Sequence, residues 1–287
     1  MVKLIEEDVQ TKEVFDWKGV HLLHFRASSC SQKTRIFMNL KGIEWESHLI
    51  DRPKGENFTP WDRGINPRGL VPTLVIDGEV HIESNDIMTE LDVRFPDRKL
   101  IPAGQESRVG ELLHHEDELH LDLRTITFRY TQPRGKAPKS AESLSNYRDF
   151  GSGTVGGEWD SHKDREIDFW ETAAREGLTD DAIRTSAARF RETLSENDQI
   201  LSRQKYLMGD DLTVLDIAWF VYTFRLIRCG YPMERLHPHV FEWFTQLREM
   251  PEIASEIGVP PEVQKAVEEN HRRQQEEGST LVDVTGY

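Results

Sequence analysis

A chain of 287 residues with 51 acidic and 36 basic side chains carries a formal net charge of −15, and 37% of it is hydrophobic. At roughly 100–200 residues per domain it holds two domains or one large one, and its 7 Trp and 13 Phe are enough for a core, which excludes disorder throughout. No apolar run reaches the roughly 18 residues that cross a bilayer, and the acidic excess argues against a broad nucleic-acid surface, which needs clustered Lys and Arg. The opening residues carry acids where an export signal would be cationic and then apolar. Cys30 and Cys229 make no disulfide framework, so a reducing cytoplasm is the expected setting.

In chain order, residues 1–18 read as a polar, loose arm. Residues 20–25 (VHLLHF) are a short apolar run that suits a buried strand. Residues 33–41 place Ile36, Phe37 and Leu40 at helical spacing, and Gly42 stands where a helix C-terminal glycine belongs. A second strand fits residues 45–50. Residues 51–64 (DRPKGENFTPWDRG) are rich in turn formers, with room for a short helix. Residues 74–76 and 79–83 read as strands joined by Asp77-Gly78, a good hairpin pair because both turn positions need positive φ. Ser84 then opens a helix to Arg94. Residues 19–95 therefore form an α/β domain over a mixed four-stranded sheet, and residues 96–104, with two prolines, are a linker. From 105 to 260 the chain reads as helical. Leu119, Leu121 and Leu123 alternate like a strand, but the length of the 106–130 pattern favours a helix. Residues 131–160, with Pro133, Gly135, Pro138 and GSGTVGG, are a long insertion, of the kind that is functional or mobile in compact domains. Residues 261–287 read as a polar tail.

Ser28-Ser29-Cys30-Ser31 falls between a strand end and a helix start. One serine there is explained as an N-cap, while three serines and a cysteine in one turn exceed what capping requires. A helix N-terminus also favours an anion such as a thiolate. The spacing is that of a C-x-x-C site with serine at both cysteine positions. Such a turn closes no internal disulfide but can hold a thiolate supplied by another molecule. Pro72 suits a strand start or a cis bend; a cis bond would turn the Val71 backbone N–H and C=O outward, ready for a peptide-like ligand. Glu83-Ser84 is either an ordinary cap or a pair in which Ser84 takes a ligand carboxylate and Glu83 an ammonium. Thr213 and Asp216 form a capping box with Asp in place of Glu or Gln, a structural feature. His114, His115 and His120 share no helix face, so no metal set is read. The glycine run at 151–157 lacks the Lys-Ser/Thr of a phosphate loop, and the charge run at 268–277 suits a solvated face.

Together, SSCS before the first helix, NPRGLVPTL before the hairpin, ESNDI opening the third helix and LTVLDIAW in the helical half resemble the cytosolic glutathione transferases over residues 20–255. The SSCS turn resembles that of the zeta class. SSCSQKTRIFMNLKGIEW, ENFTPWDRGINPRGLVPTLV and ITFRYTQPRG are similar to the zeta-related tetrachlorohydroquinone reductive dehalogenases of bacteria. NPRG-x-VP is shared with bacterial β-aryl-ether-cleaving transferases. The 131–160 insertion and the tail have no counterpart in typical zeta enzymes. The resemblance implies a thioredoxin-like N-terminal domain followed by a helical-bundle C-terminal domain, with glutathione as co-substrate. It implies that the Ser28 hydroxyl supports the glutathione thiolate and that Cys30 resolves a glutathionyl intermediate. Val71 and Pro72 would pair with the cysteinyl backbone, Glu83 and Ser84 would anchor the γ-glutamyl end, and Lys54 and Asn57 would serve the glycine carboxylate. It further implies a homodimer acting on a small hydrophobic electrophile, with no nucleic-acid or membrane partner. The helical domain would supply an apolar, aromatic-lined pocket. Thioether formation is the default outcome and reductive removal of a leaving group the special case. The alternatives are a glutathione-dependent thiol–disulfide oxidoreductase working through Cys30, β-aryl ether cleavage, and a catalytically silent glutathione-binding module.

Overall fold

The computed structural model describes residues 2–131 and 139–287. In chain order its elements are β1 (Val2–Lys3), β2 (Val20–His24), α1 (Ser29–Lys41), β3 (Glu46–Leu49), α2 (Pro60–Ile65), β4 (Thr73–Ile76), β5 (Glu79–Ile82) and α3 (Ser84–Arg94). There follow α4 (Glu106–Glu118), α5 (His120–Thr131), α6 (Ala141–Asp149), β6 (Thr154–Val155), β7 (Glu158–Trp159), α7 (His162–Glu176), α8 (Asp180–Leu201) and α9 (Val214–Arg228). The chain ends with α10 (Met233–Leu236), α11 (Pro238–Arg248), α12 (Pro251–Ala254), α13 (Pro261–Glu277) and α14 (Leu281–Thr285). The described residues form two compact units, one drawn from 1–98 and 137–175, the other from 99–136 and 176–287.

The first unit has a thioredoxin-like mixed sheet in the order β1-β5-β4-β2-β3, with β2 and β3 parallel and the other pairs antiparallel. Leu22 and Leu23 on β2, and Leu74 and Val75 on β4, are all buried, so these central strands are apolar on both faces rather than alternating. The β4–β5 hairpin turns on Asp77 and Gly78 with φ of +50° and +84°, as the dipeptide requires. Helix α1 ends at Gly42, φ +64°, whose N–H returns to the Asn39 and Met38 carbonyls.

Residues 1–18 are not a loose arm. Strand β1 adds a fifth strand at the sheet edge, with Val2 opposite Ile82 and Lys3 opposite His81. Leu4, Val9 and Val14 are buried in the same core as Val75 and Val80. Their spacing of five matches neither a helix nor a strand period, so no pattern in the sequence announces their burial.

The insertion also differs from its reading as part of the helical domain. Residues 139–175 belong to the first unit, while Pro133, Gly135 and Pro138 lie outside the described residues. Three anchors explain this. The Asp8 carboxylate accepts from the Thr154 hydroxyl (2.8 Å) and from the Gly156 and Gly157 N–H groups (2.7 and 3.1 Å). Both glycines have positive φ, which points two successive N–H groups at one carboxylate. Arg63 donates through Nε and Nη2 to the Phe150 carbonyl (3.1 and 2.8 Å). Tyr147 is buried against Phe58 and donates its hydroxyl to the Arg68 carbonyl (2.7 Å).

The second unit is a helical bundle around α9, whose residues from Val214 to Thr223 are all buried. Asp216 accepts from the Thr213 N–H and hydroxyl, the Leu207 N–H and the Trp243 indole, all within 3.1 Å. The 106–130 pattern is broken at Leu119, where the buried side chain sits at φ −88°, ψ 0° and divides α4 from α5. The polar tail is structured: α13 lays Asn270 and Gln274 against the Tyr130 carbonyl at the end of α5 (2.7 and 3.3 Å). Leu281 of α14 is buried as well. Buried amides on α13 satisfy an otherwise orphaned helix-end carbonyl, a role that hydrophobic periodicity does not signal. Among the described residues no helix is long and apolar enough to cross a membrane.

Candidate functional site

Strand β2 ends at His24, and the chain turns into α1 through Ser28. Ser28 is extended (φ −76°, ψ 129°), and its Oγ accepts from the Ser31 N–H at 3.3 Å, a regular N-cap. The same hydroxyl donates to the Val71 carbonyl at 3.4 Å, and the Val71-Pro72 bond is cis. The structure therefore brings Ser28, Val71 and Pro72 together, and the capping and site readings of Ser28 are compatible. Cys30, a half-buried cysteine that forms no disulfide, is the second residue of α1. Behind the turn, Arg35 donates to the Phe25 and Arg26 carbonyls (3.4 and 3.0 Å) and to His24 Nδ1 (3.1 Å). Burial, helped by the Arg35 charge, pushes the His24 pKa down to about 4. The ring is neutral, accepts at Nδ1 and donates from Nε2 to Ser47 Oγ at 2.7 Å.

The start of α3 is built differently. Glu83 has φ +67° and ψ 114°, a backbone region that L-residues other than glycine seldom occupy and that costs about 1–3 kcal/mol. Its carboxylate accepts from Arg68 Nη1 at 2.5 Å. Arg68 in turn donates through Nε and Nη2 to the two oxygens of Asp160 (2.7 and 3.1 Å), a bidentate pair. Burial opposes the Arg68 charge, but Asp160 and Glu83 outweigh it and raise its pKa. Against its own burial, Asp160 is held below the usual carboxylate range by Arg68. Ser84 is buried at the first position of α3, and its hydroxyl bonds to no described residue. This helix start thus carries a carboxylate paired with a guanidinium, a constellation suited to a zwitterionic amino-acid end.

Lys54 and Asn57 occupy different environments. Lys54 is exposed and pairs with Asp51 at 2.8 Å. Asn57 is fully buried and donates from Nδ2 to the Gly69 carbonyl at 2.8 Å, so it braces the turn that carries Arg68 rather than presenting its amide outward. Arg68 and Asp160 were not assigned roles from the sequence. Arg68 stands inside the NPRG motif, which is signal enough to suspect it, whereas Asp160 lies 92 residues away in the insertion. In the helical unit His114 and His115 lie on α4, while His120 on α5 bonds the Tyr222 hydroxyl at 3.1 Å. That unit also holds a cavity of about 400 Å³ whose lining includes Arg108, His115, Asn197, Leu215 and Trp219.

A thioredoxin-like unit whose first helix opens on serine, accompanied by an all-helical unit, is the glutathione S-transferase fold. Residues 27–94 match the glutathione S-transferase N-terminal domain and residues 180–246 the glutathione S-transferase C-terminal domain. It is 42% identical over 80 residues to a zeta-class glutathione S-transferase of Euphorbia esula, a match covering 28% of this chain and 35% of that protein. The chain thus spans little more than a third of the length of that relative. It is 24% identical over 218 residues to the tetrachloro-p-hydroquinone reductive dehalogenase of Sphingobium chlorophenolicum, covering 72% of this chain and 82% of that one. Similar solved structures include the beta-etherase LigF of Sphingobium sp. strain SYK-6, with a TM-score of 0.67, 24% identity and coverage of 83% of this chain and 98% of that one. They also include a theta-class glutathione S-transferase of Xanthomonas axonopodis pv. citri with glutathione bound, with a TM-score of 0.57, 21% identity and coverage of 85% and 99%.

Proposed function

We propose that the chain is a glutathione-dependent transferase in which the Ser28 hydroxyl stabilises the glutathione thiolate for attack on a small apolar electrophile. The observation that carries this reading is the meeting of Ser28 Oγ with the Val71 carbonyl at the N-terminus of α1. A hydroxyl that now donates to a backbone carbonyl at 3.4 Å, a long bond, can turn to a better acceptor. A thiolate at a helix N-terminus is such an acceptor, and each unit by which its pKa falls needs only about 1.4 kcal/mol of differential interaction. Val71 and Pro72 meet the cysteinyl backbone of glutathione. Ser84, the N–H groups of α3 and Arg68 take the γ-glutamyl carboxylate, and Glu83 takes the ammonium. The assembly is a cytoplasmic homodimer.

The half-buried Cys30 and the dehalogenase relative favour reductive removal of a leaving group as a second reading. The glutathione thiolate displaces halide from an aryl carbon to give a thioether. The Cys30 thiolate attacks the thioether sulfur, the aryl carbon takes a proton, and a Cys30–glutathione disulfide forms. A second glutathione thiolate reduces that disulfide, so two glutathiones become one glutathione disulfide. The test is Cys30→Ser with a halogenated hydroquinone, read by mass spectrometry. Accumulating aryl thioether supports this reading, and a product mixture identical to wild type removes Cys30 from the mechanism. Light scattering checks the dimer, and a mass near 33 kDa at micromolar concentration argues against it.

A further inference from the structure

Strands β2 and β3 are parallel, and His21 stands directly opposite Glu46. His48 follows Glu46 by two residues, so both side chains project from the same face of β3. Three potential ligand side chains converge there. His21 Nδ1 lies 3.1 Å from His48 Nε2 and 3.5 Å from Glu46 Oε2, and His48 Nε2 lies 3.6 Å from Glu46 Oε1. Ligands about 2.0–2.1 Å from a tetrahedral ion are separated by about 3.3–3.4 Å, and each of these spacings lies within about 0.3 Å of that value, the carboxylate facing one ring through each oxygen.

The surroundings fit that chemistry. His21 Nε2 bonds the Lys18 carbonyl at 2.8 Å, which places a ring proton on Nε2 and turns Nδ1 inward. A ring N–H given to a backbone carbonyl is the usual outer support of a metal-ligating histidine. With Nδ1 unprotonated, the Glu46 carboxylate faces a second lone pair. One cation placed among the three side chains satisfies all three contacts at once. Trp17 stacks on His48 (ring centroids 4.6 Å apart, 11° between planes) and lies 4.7 Å from the His21 ring, holding both imidazoles in place. Among the described residues no lysine or arginine pairs with Glu46. The cluster of Glu79, His81 and Glu90 differs on this point, because Lys3 and Arg94 already hold its carboxylates. Finally, β3 is the sheet edge and the Glu46 side chain is 66% exposed, which leaves an entry path and room for water as a fourth ligand.

We propose that His21, Glu46 and His48 bind one divalent transition-metal ion of the zinc class on the outer edge of the sheet. The sequence offers a faint sign, an E-x-H pair on one strand and a single histidine on its neighbour, which becomes a set only through the strand register. The test uses the untagged full chain, stripped with chelator. Cobalt is titrated and read by its visible absorption and by quenching of Trp17 fluorescence, and zinc is titrated by calorimetry. One ion per chain is expected, with a tetrahedral cobalt spectrum and a rise in melting temperature. Glu46→Gln and His48→Gln should each weaken binding about tenfold or more, and the exposure of Glu46 makes Glu46→Gln a variant that retains the fold. Absence of saturable binding, or binding that persists in the double variant E46Q/H48Q, overturns the proposal.

Discussion

The starts of α1 and α3 are both suited to negative charge, and they reach that end by opposite routes. The α1 turn is assembled largely from near neighbours: Ser28 capping Ser31, and Arg35 tying back the carbonyls of the same turn, with Val71 as a contact from farther along the chain. It rests on a neutral histidine and on backbone groups. The α3 start rests on full charges from far along the chain, with Glu83 in a strained backbone, Arg68 beside it and Asp160 reaching in from the insertion. A local device of a hydroxyl, backbone groups and one arginine from the same helix handles a sulfur whose charge must change during reaction. A long-range device of fixed charges suits the end of a ligand that keeps its charge throughout.

Four measurements break or sharpen this contrast. The largest effect is expected at the local device. Ser28→Ala should lower kcat/KM with a model electrophile by about 10–1,000-fold while glutathione still binds, because one donor to a developing anion is worth a few kcal/mol. An unchanged pH–rate profile would count against the assignment.

The second measurement is acid stability. His24 has a folded-state pKa of about 4 against an ordinary value of 6.5. A depressed pKa gives stability that is complete above pH 6.5 and is lost as the pH falls through 4, in total about 3 kcal/mol. Asp160, with its carboxyl held below 3.8, keeps its contribution until the pH falls lower still. Between pH 6.5 and 4 the α1 turn should therefore loosen while the α3 start holds. Urea melts of wild type and His24→Gln across this range check it, since the variant should lose the share of the slope that His24 supplies, the other histidines of lowered pKa keeping theirs.

Third, Arg68→Met should raise the glutathione Kd by about 10–100-fold with kcat nearly unchanged, the cost of losing a charge-assisted contact to the ligand and stranding two carboxylates. An effect confined to kcat would place Arg68 in the chemistry instead. The smallest effect is expected from Asp160→Asn, which leaves Arg68 in place but unsteadied. A rise in Kd of about 3–10-fold by calorimetry is expected, and a loss as large as that of Arg68→Met would mean that Asp160 touches the ligand itself.

The same contrast explains what the sequence makes legible. The SSCS turn, the Asp77-Gly78 hairpin and the Thr213–Asp216 cap are local, and their chemistry can be read from residues a few positions apart. Arg68 is visible only as part of a motif, because its partners lie 15 and 92 residues away. Strand β1 is two residues long and exists only through its pairing with β5. Helix α13 buries Asn270 and Gln274 rather than an apolar stripe, so by hydrophobic pattern it passes for a solvated tail. His21, Glu46 and His48 follow the same rule, since the register of two strands, and no spacing within one, brings them together.

The first unit is written in two instalments, and this bears on how it is made. Asp8 meets its donors Thr154, Gly156 and Gly157 only after 146 to 149 further residues, and Arg68 meets Asp160 after 92. At about 5–20 residues per second, translation needs about 7–30 s to supply the partners of Asp8 after that residue has been joined. Throughout that interval the buried Asp8 carboxylate lacks its donors from Thr154, Gly156 and Gly157, while helices α4 and α5 of the other unit are already being produced. The half that comes off the ribosome first is thus among the later parts to become whole, and its early form is the species that holdase chaperones and proteases of the host cell would meet.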